Sequence, residues 1–268
     1  MSSMEMHTRR ADIRLLGRFD VEVDGQLTPD RGWGRRMAAA LVKLLALAPG
    51  QRLHREQVID ILWPDERPAL AAPKLHKAAH YARQAAGRLD AVVLRGDTAQ
   101  LFPAAELTID VVTFDTLSGQ AIATGDAATA RSALDAYRGE LLPDDRYEDW
   151  AAERRELLRL RHLHLLRLAG RWLEVSELNP ADEDAHLELM RCHVANGDAA
   201  AALAQYERLA RVLDRDLGVA PGAAAQAFRD HIGELVTELE MVTRRQAILL
   251  KTLAAAGAAP TQILAAAS

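Results

Sequence analysis

The residues able to do bond-making chemistry are few and poorly grouped. Cys192 and His193 are adjacent, and side chains one position apart on a helix do not face each other. They make a poor nucleophile–base pair, so Cys192 reads as a small buried apolar residue. His76 and His80 stand four apart, a spacing that can hold a metal, but no third ligand lies nearby and Asp90 falls beyond the helix end. His162 and His164 are two apart and point in different directions. No glycine-rich loop ends in Gly-Lys-Ser/Thr, and no dinucleotide fingerprint follows a strand. No Gly-x-Ser-x-Gly elbow is present. The expectation is a protein that is not an enzyme, with no cofactor and no metal site.

One segment does carry a chemical pattern. "PKLHKAAHYARQAAGRLD" (73–90) places Leu75, Ala78 or Ala79, Ala82 and Ala86 at helical spacing, which makes a buried stripe. Lys74, Lys77, His80, Tyr81 and Gln84 fall on the other faces, with Arg83 and Arg88 near the C-terminal end. Such side chains hydrogen-bond to phosphates and base edges. Lys or Arg reads guanine, Gln reads adenine, and a well-made bidentate pair discriminates by ~1–3 kcal/mol. Taken alone, the same residues fit a merely solvated helix face. The elements around the segment decide between the two.

Residues 13–28 read as two short strands, with "FDVEV" alternating at period two and Asp24-Gly25 as a hairpin turn. A helix is expected over 35–48, with Met37, Leu41, Leu44 and Leu45 on one face and Pro49-Gly50 as its stop. A second helix spans 54–63, with Val58, Ile61 and Leu62 inward. "PDERPA" (64–69) is a loop. The third helix runs over 70–86, with Pro73 in its first turn. A hairpin follows at 91–102 around Gly96-Asp97. Strands, three helices and a hairpin, in that order, make a winged helix-turn-helix whose sheet comes first and whose final hairpin is the wing.

After a strand-like stretch at 107–112 the chain reads as helical. "GDAATA" (125–130) recurs as "GDAAAA" (197–202), each copy placing Gly at a helix end and Asp at the next N-cap. Ala202 and Tyr206 share a face, a small-then-bulky pairing of the kind used in tetratricopeptide-like arrays. A long helix spans 147–175, with a break at Gly170. The tail, 242–268, is helical to about Ala255, and "TQILAAAS" beyond it is expected to be loosely held or docked on a partner. The expected fold is mainly α with a small β part, divided as 1–110 (winged helix), 111–240 (helical) and 241–268 (tail).

Charge is unevenly spread. Residues 1–115 carry 16 Lys/Arg and 15 Asp/Glu, and residues 116–268 carry 17 and 23. The N-terminal part is therefore the one suited to a polyanion. There is no apolar run long enough to span a membrane and no secretory h-region after Arg9-Arg10. A single cysteine fits a reducing cytoplasm.

"LLGRFDVEVDGQ" and "LLALAPGQRLHREQVIDILWPDERP" resemble the winged-helix domain of the Streptomyces antibiotic regulatory protein (SARP) family. "YRGELLPDDRYEDWAAERRELL" and "AHLELMRCHVANGDAAAALAQYERLARVLDRDLGVAP" resemble the bacterial transcriptional activator domain that follows it there. Leu62-Trp63 before a Pro-containing loop, Trp150 with Glu153-Arg154, and Leu217-Gly218-Val219 before Pro221 carry the likeness, which covers about residues 13–232. The resemblance implies a cytoplasmic activator that binds direct repeats in double-stranded promoter DNA, forms a homodimer on them and recruits RNA polymerase. Helix 70–86 would be the recognition helix, loop 64–69 would face polymerase and 91–102 would be the wing. The family's ATPase domain does not follow, so a small form of the family is expected.

Phosphate contacts are expected from Arg35, Arg36, Lys74, Lys77, Arg83 and Arg95. Base contacts are expected from the middle of the third helix, where His80, Tyr81 and Gln84 stand. Three departures accompany the likeness: a single arginine in "HYARQAAG", "DTAQLF" in the wing, and a shortened repeat at "RLAGRWLEVSELNPADE". The near-neutral charge and the sparse third helix keep a second class of function open, a protein–protein adaptor whose winged helix binds DNA weakly or not at all.

Overall fold

The computed structural model describes residues 9–255 and divides into two units, Met1–Gly170 and Arg171–Ser268. The first unit opens on a four-stranded sheet of order β3-β2-β1-β7. Its strands are β1 (Arg10–Arg14), β2 (Asp20–Val23), β3 (Gln26–Pro29) and β7 (Glu106–Ile109). β1 runs antiparallel to β2 and parallel to β7. The turn Asp24-Gly25 joins β2 to β3 with both residues at positive φ, which matches the strands' twist. Three strands therefore form before the helices, where the sequence suggested two. The first starts earlier, at Arg10, and the chain turns at Gly17 before Asp20 begins the second.

α1 (Arg36–Leu47), α2 (Arg55–Leu62) and α3 (Pro68–Ala85) follow, and α3 packs on both of the others. Leu41, Leu44 and Leu45 of α1 are buried, as are Val58, Ile59 and Leu62 of α2. Ile59 replaces the expected Ile61, which is only half-buried. In α3 the buried stripe is Ala71, Leu75, Ala78, Ala79 and Ala82, continued by Ala86. Pro68 takes the first helical position, so Pro73 lies inside the helix and not in its first turn. Its missing N–H leaves the Ala69 carbonyl without a helical donor, which is tolerable because Ala69 is exposed to water. The second sheet has the order β4-β6-β5: the hairpin of β5 (Val92–Arg95) and β6 (Thr98–Leu101), with β4 (Arg52–His54) added along β6.

The chain turns from strand to helix at Ile109, so the strand-like stretch 107–112 is half strand and half helix. α4 (Asp110–Thr124), α5 (Ala127–Ala136) and α6 (Asp149–Leu168) complete this unit. The Asp110 carboxylate accepts N–H bonds from Leu15 and Leu16, each at 2.9 Å, and from Val111 at 2.8 Å. Burial holds its carboxyl above the ordinary aspartate range, although these N–H groups work the other way. A second tie runs beside it. Gly17 N–H donates to Glu140 O (2.8 Å) and Leu142 N–H to Leu15 O (2.9 Å), so "LLG" and "GELL" lie backbone to backbone. Gly125, at φ +65, ends α4, and the Asp126 carboxylate accepts from Thr129 N–H at the start of α5.

The second unit holds α7 (Trp172–Leu178), α8 (Glu183–Ala195), α9 (Ala199–Leu217) and α10 (Ala223–Ala255). Its core gathers Met190, Ala202, Tyr206, Leu209, Leu213, Ala225 and Ile232, so Ala202 and Tyr206 do share the buried face. The Asp198 carboxylate caps α9 through Ala201 N–H. Cys192 is exposed, which corrects its expected burial. The buried face of α8 is set by Ala185, His186 and Met190, and a residue two beyond Met190 lies about 200° round the helix. The expected fate of "TQILAAAS" lies outside the described residues.

His186 is a buried titratable group of this unit. Its Nε2 donates to Pro180 O (3.1 Å) and its Nδ1 accepts from Gln205 Nε2 (2.9 Å), an arrangement complete only for the neutral ring. Burial pushes its pKa below the ordinary histidine value. The folded unit therefore binds fewer protons than the unfolded chain, and stability is lost as pH falls through about 6.5 towards the lowered pKa. Urea melts of the full chain should show lower stability at pH 5 than at pH 7, and His186→Gln should flatten that dependence. An equally steep loss in both proteins would refute the assignment.

Candidate nucleic-acid interface

Opposite the alanine stripe, α3 presents Lys77, His80 and Gln84 to solvent. Their i, i+3, i+7 spacing puts them on one face over about 10 Å of helix. Lys77 has no acidic partner among the described residues, whereas Lys74 on the same helix is paired with Glu66. His80 rests edge-on against the Tyr81 ring, with centroids 5.5 Å apart.

One flank of this crown is built with the start of α1. Arg35 caps that helix and Arg36 opens it. The Arg35 guanidinium sits 5.2 Å from the centre of the half-buried Tyr81 ring, a cation–π contact that holds both side chains. Arg35, Arg36, Lys74, Lys77 and Tyr81 line a common hollow of about 410 Å³ floored by Trp63. Two of these cations are paired. Lys74 bonds Glu66 of the loop before α3, and Arg36 bonds Glu148 ahead of α6. Burial raises the Glu148 carboxyl, but the bonds from Arg36 and the Trp150 indole N–H hold it below the usual range.

The other flank is the wing. Arg83 leaves the crown: its Nε donates to Val92 O at 2.7 Å and ties α3 to β5. Arg95 stands exposed at the hairpin end. The turn Gly96-Asp97 is pinned to the start of α2 by three bonds: Arg55 N–H to Asp97 O (2.7 Å), Arg55 Nη1 to Gly96 O (3.0 Å) and His54 Nε2 to Asp97 Oδ2 (3.0 Å). Arg55 Nη2 also reaches His76 Nε2 of α3 at 2.6 Å. Arg55 thus links the wing, α2 and α3, and sequence reasoning missed it. A signal was present: a cation at the first helical position is disfavoured by the helix dipole, so Arg55 needed another reason to be there.

The arrangement can do two things. The crown has donors and acceptors for base edges, and cations at the start of α1 and on the wing can meet phosphates beside it. His76 and His80 are exposed, and the described residues hold no cluster of three His, Cys, Asp or Glu able to bind a metal. Among the described residues no helix is long and apolar enough to cross a membrane.

Residues 109–232 match the bacterial transcriptional activator domain family. The match begins at the last residue of β7. A solved structure of Mycobacterium tuberculosis EmbR in complex with a low-affinity phosphopeptide has a similar fold, with a TM-score of 0.61 and 21% identity. The likeness covers 85% of this chain and 66% of that one. A comparison with curated proteins gives no match. The chain thus joins a winged helix-turn-helix to a segment, residues 109–232, that matches the bacterial transcriptional activator domain family.

Proposed function

We propose that this chain is a SARP-type transcriptional regulator that binds double-stranded promoter DNA through α3 and activates transcription in the cytoplasm, with residues 1–110 as the DNA-binding domain, 111–240 as the activator domain and 241–268 as a tail. Lys77, His80 and Gln84 enter the major groove. Arg35, Arg36 and Lys74 meet phosphates on one side and Arg95 on the other. The loop before α3 faces RNA polymerase, and two copies occupy adjacent direct repeats. The observation that carries the reading is the uncovered crown of α3 between two cationic flanks. Arg83 joins the phosphate contacts only if it gives up its bond to Val92 O.

About four phosphates neutralised per protein give a salt slope near −3.6, so affinity should fall about 100-fold between 50 and 200 mM salt. Lys77→Ala should weaken binding to the protein's own upstream region about tenfold, consistent with one lost base or phosphate contact of ~1–3 kcal/mol. Fluorescence anisotropy with cognate and scrambled duplexes reads both. Unchanged affinity in Lys77→Ala would remove α3 from the interface.

The adaptor reading has its own observation. Lys74 and Arg36 are already neutralised by Glu66 and Glu148, which leaves few unpaired cations near the crown. Indifference to sequence at low salt in the same titration would favour it.

A further inference from the structure

α10 outruns the domain it belongs to. Its first turns are anchored: Ala225 and Ile232 are buried, and Phe228 and Val236 pack against the same core. Beyond Val236 it continues to Ala255 as an exposed helix of about 28 Å. The family match stops at residue 232, so this length is an addition to it.

The exposed part is not polar all round. Leu235, Leu239, Val242, Gln246, Leu249 and Leu253 recur at alternating steps of four and three, the a/d seam of a coiled coil with one polar position at Gln246. Leu239 is 68% exposed, and Leu235, Val242 and Leu249 are 43–45% exposed. A single helix leaves such a seam in water, at a hydrophobic cost that a second helix removes.

Charge selects the second helix. The first half of the free segment carries Glu238 and Glu240, and the second half carries Arg244, Arg245 and Lys251. A parallel copy sets acid beside acid and base beside base. An antiparallel copy sets each acidic half beside a basic half, and pairing centred near Arg244 lays Leu239 across from Leu249 of the other copy. The segment's three bases are offset by two acids, so it lacks the wholly basic polar face that draws amphipathic helices to anionic lipid.

We propose that residues 235–253 form a self-association surface, by which a second copy of this chain pairs with the first as an antiparallel two-helix coil. This does not rest on the DNA reading, since it requires no DNA.

The test is sedimentation equilibrium on the full chain without DNA. A dimer is expected at 10–50 µM (on the order of a micromolar dissociation constant for a short coil). The double variant Leu239→Glu/Leu249→Glu should sediment as a monomer with its remaining helical circular dichroism intact. Orientation is read by disulfide capture in a Cys192→Ser background. Leu239→Cys mixed with Leu249→Cys should cross-link to each other faster than either cross-links to itself. A monomeric parent, a double variant that is folded and still dimeric, or faster self-linking of Leu239→Cys would each overturn the proposal. If the double variant fails to fold, the capture experiment decides alone.

Discussion

Gly139→Ala lowers the stability of the Met1–Gly170 unit by about 3 kcal/mol or more, while Gly25→Ala costs only about 1–2 kcal/mol. Both glycines have positive φ, +143° at Gly139 and +84° at Gly25, so both substitutions carry the conformational cost of a side chain in that region. The difference is space. A Cβ at Gly25 meets nothing within 4 Å, whereas one at Gly139 lies 2.9 Å from Gly17 Cα. That neighbour is backbone and cannot rotate away. It is also held in place, because Gly17 N–H donates to Glu140 O and Leu142 N–H to Leu15 O. Relief therefore requires opening the seam that joins the end of β1 to the chain entering α6. Gly17→Ala is expected to be at least as costly, since its Cβ lies 2.6 Å from Arg138 O at φ +79°. Urea melts followed through Trp33, Trp63 and Trp150 report on this unit. Equal losses for Gly139→Ala and Gly25→Ala would show that the seam opens easily.

The sequence displayed what is local. The wing turn Gly96-Asp97, the hairpin at Asp24-Gly25 and the alanine stripe of α3 all follow from residues within a few positions of each other, and each formed as read. Boundaries set by distant partners were less visible. The start of α4 at Asp110 depends on N–H groups about 95 residues away in sequence. Cys192 was judged by residue type, but its helical phase against Met190 decides its exposure. The residues proposed for the interface were legible as residue types on a face. Which of them are tethered was not, because the ties of Arg83 to Val92, Lys74 to Glu66 and Arg36 to Glu148 need the fold to bring the partners together.

Lys43 is the clearest case of a residue hidden in this way, and its removal has the second large effect. It sits in the middle of "AAALVKLLA", a run whose residues are buried from Ala38 to Ala46. Its side chain is only 4% exposed, with Nζ 2.9 Å from Asp30 Oδ1, 2.7 Å from Asp145 Oδ2 and 4.5 Å from the centre of the Phe19 ring. Removing one member of a buried pair costs about 3–5 kcal/mol. Here the acids retain some water, with Asp30 41% and Asp145 20% exposed, so Lys43→Ala should cost about 3 kcal/mol, at the lower end of that range. Lys43→Met keeps the stem's packing and isolates the charge. Asp145→Asn leaves the ammonium buried with one acid. The double variant Lys43→Met/Asp145→Asn should be less destabilised than the sum of its singles by about 1–2 kcal/mol, since the ammonium and the more buried of its two acids are then both gone and Asp30 keeps contact with water. Additive losses would mean that the ammonium finds water in solution. A coupled result fixes α1 against the segment that leads into α6, and α1 starts at the Arg35-Arg36 pair that lines one side of the proposed interface. Lys43→Met should then weaken DNA binding although Lys43 itself is out of reach of a duplex, and restoring the pair should restore both.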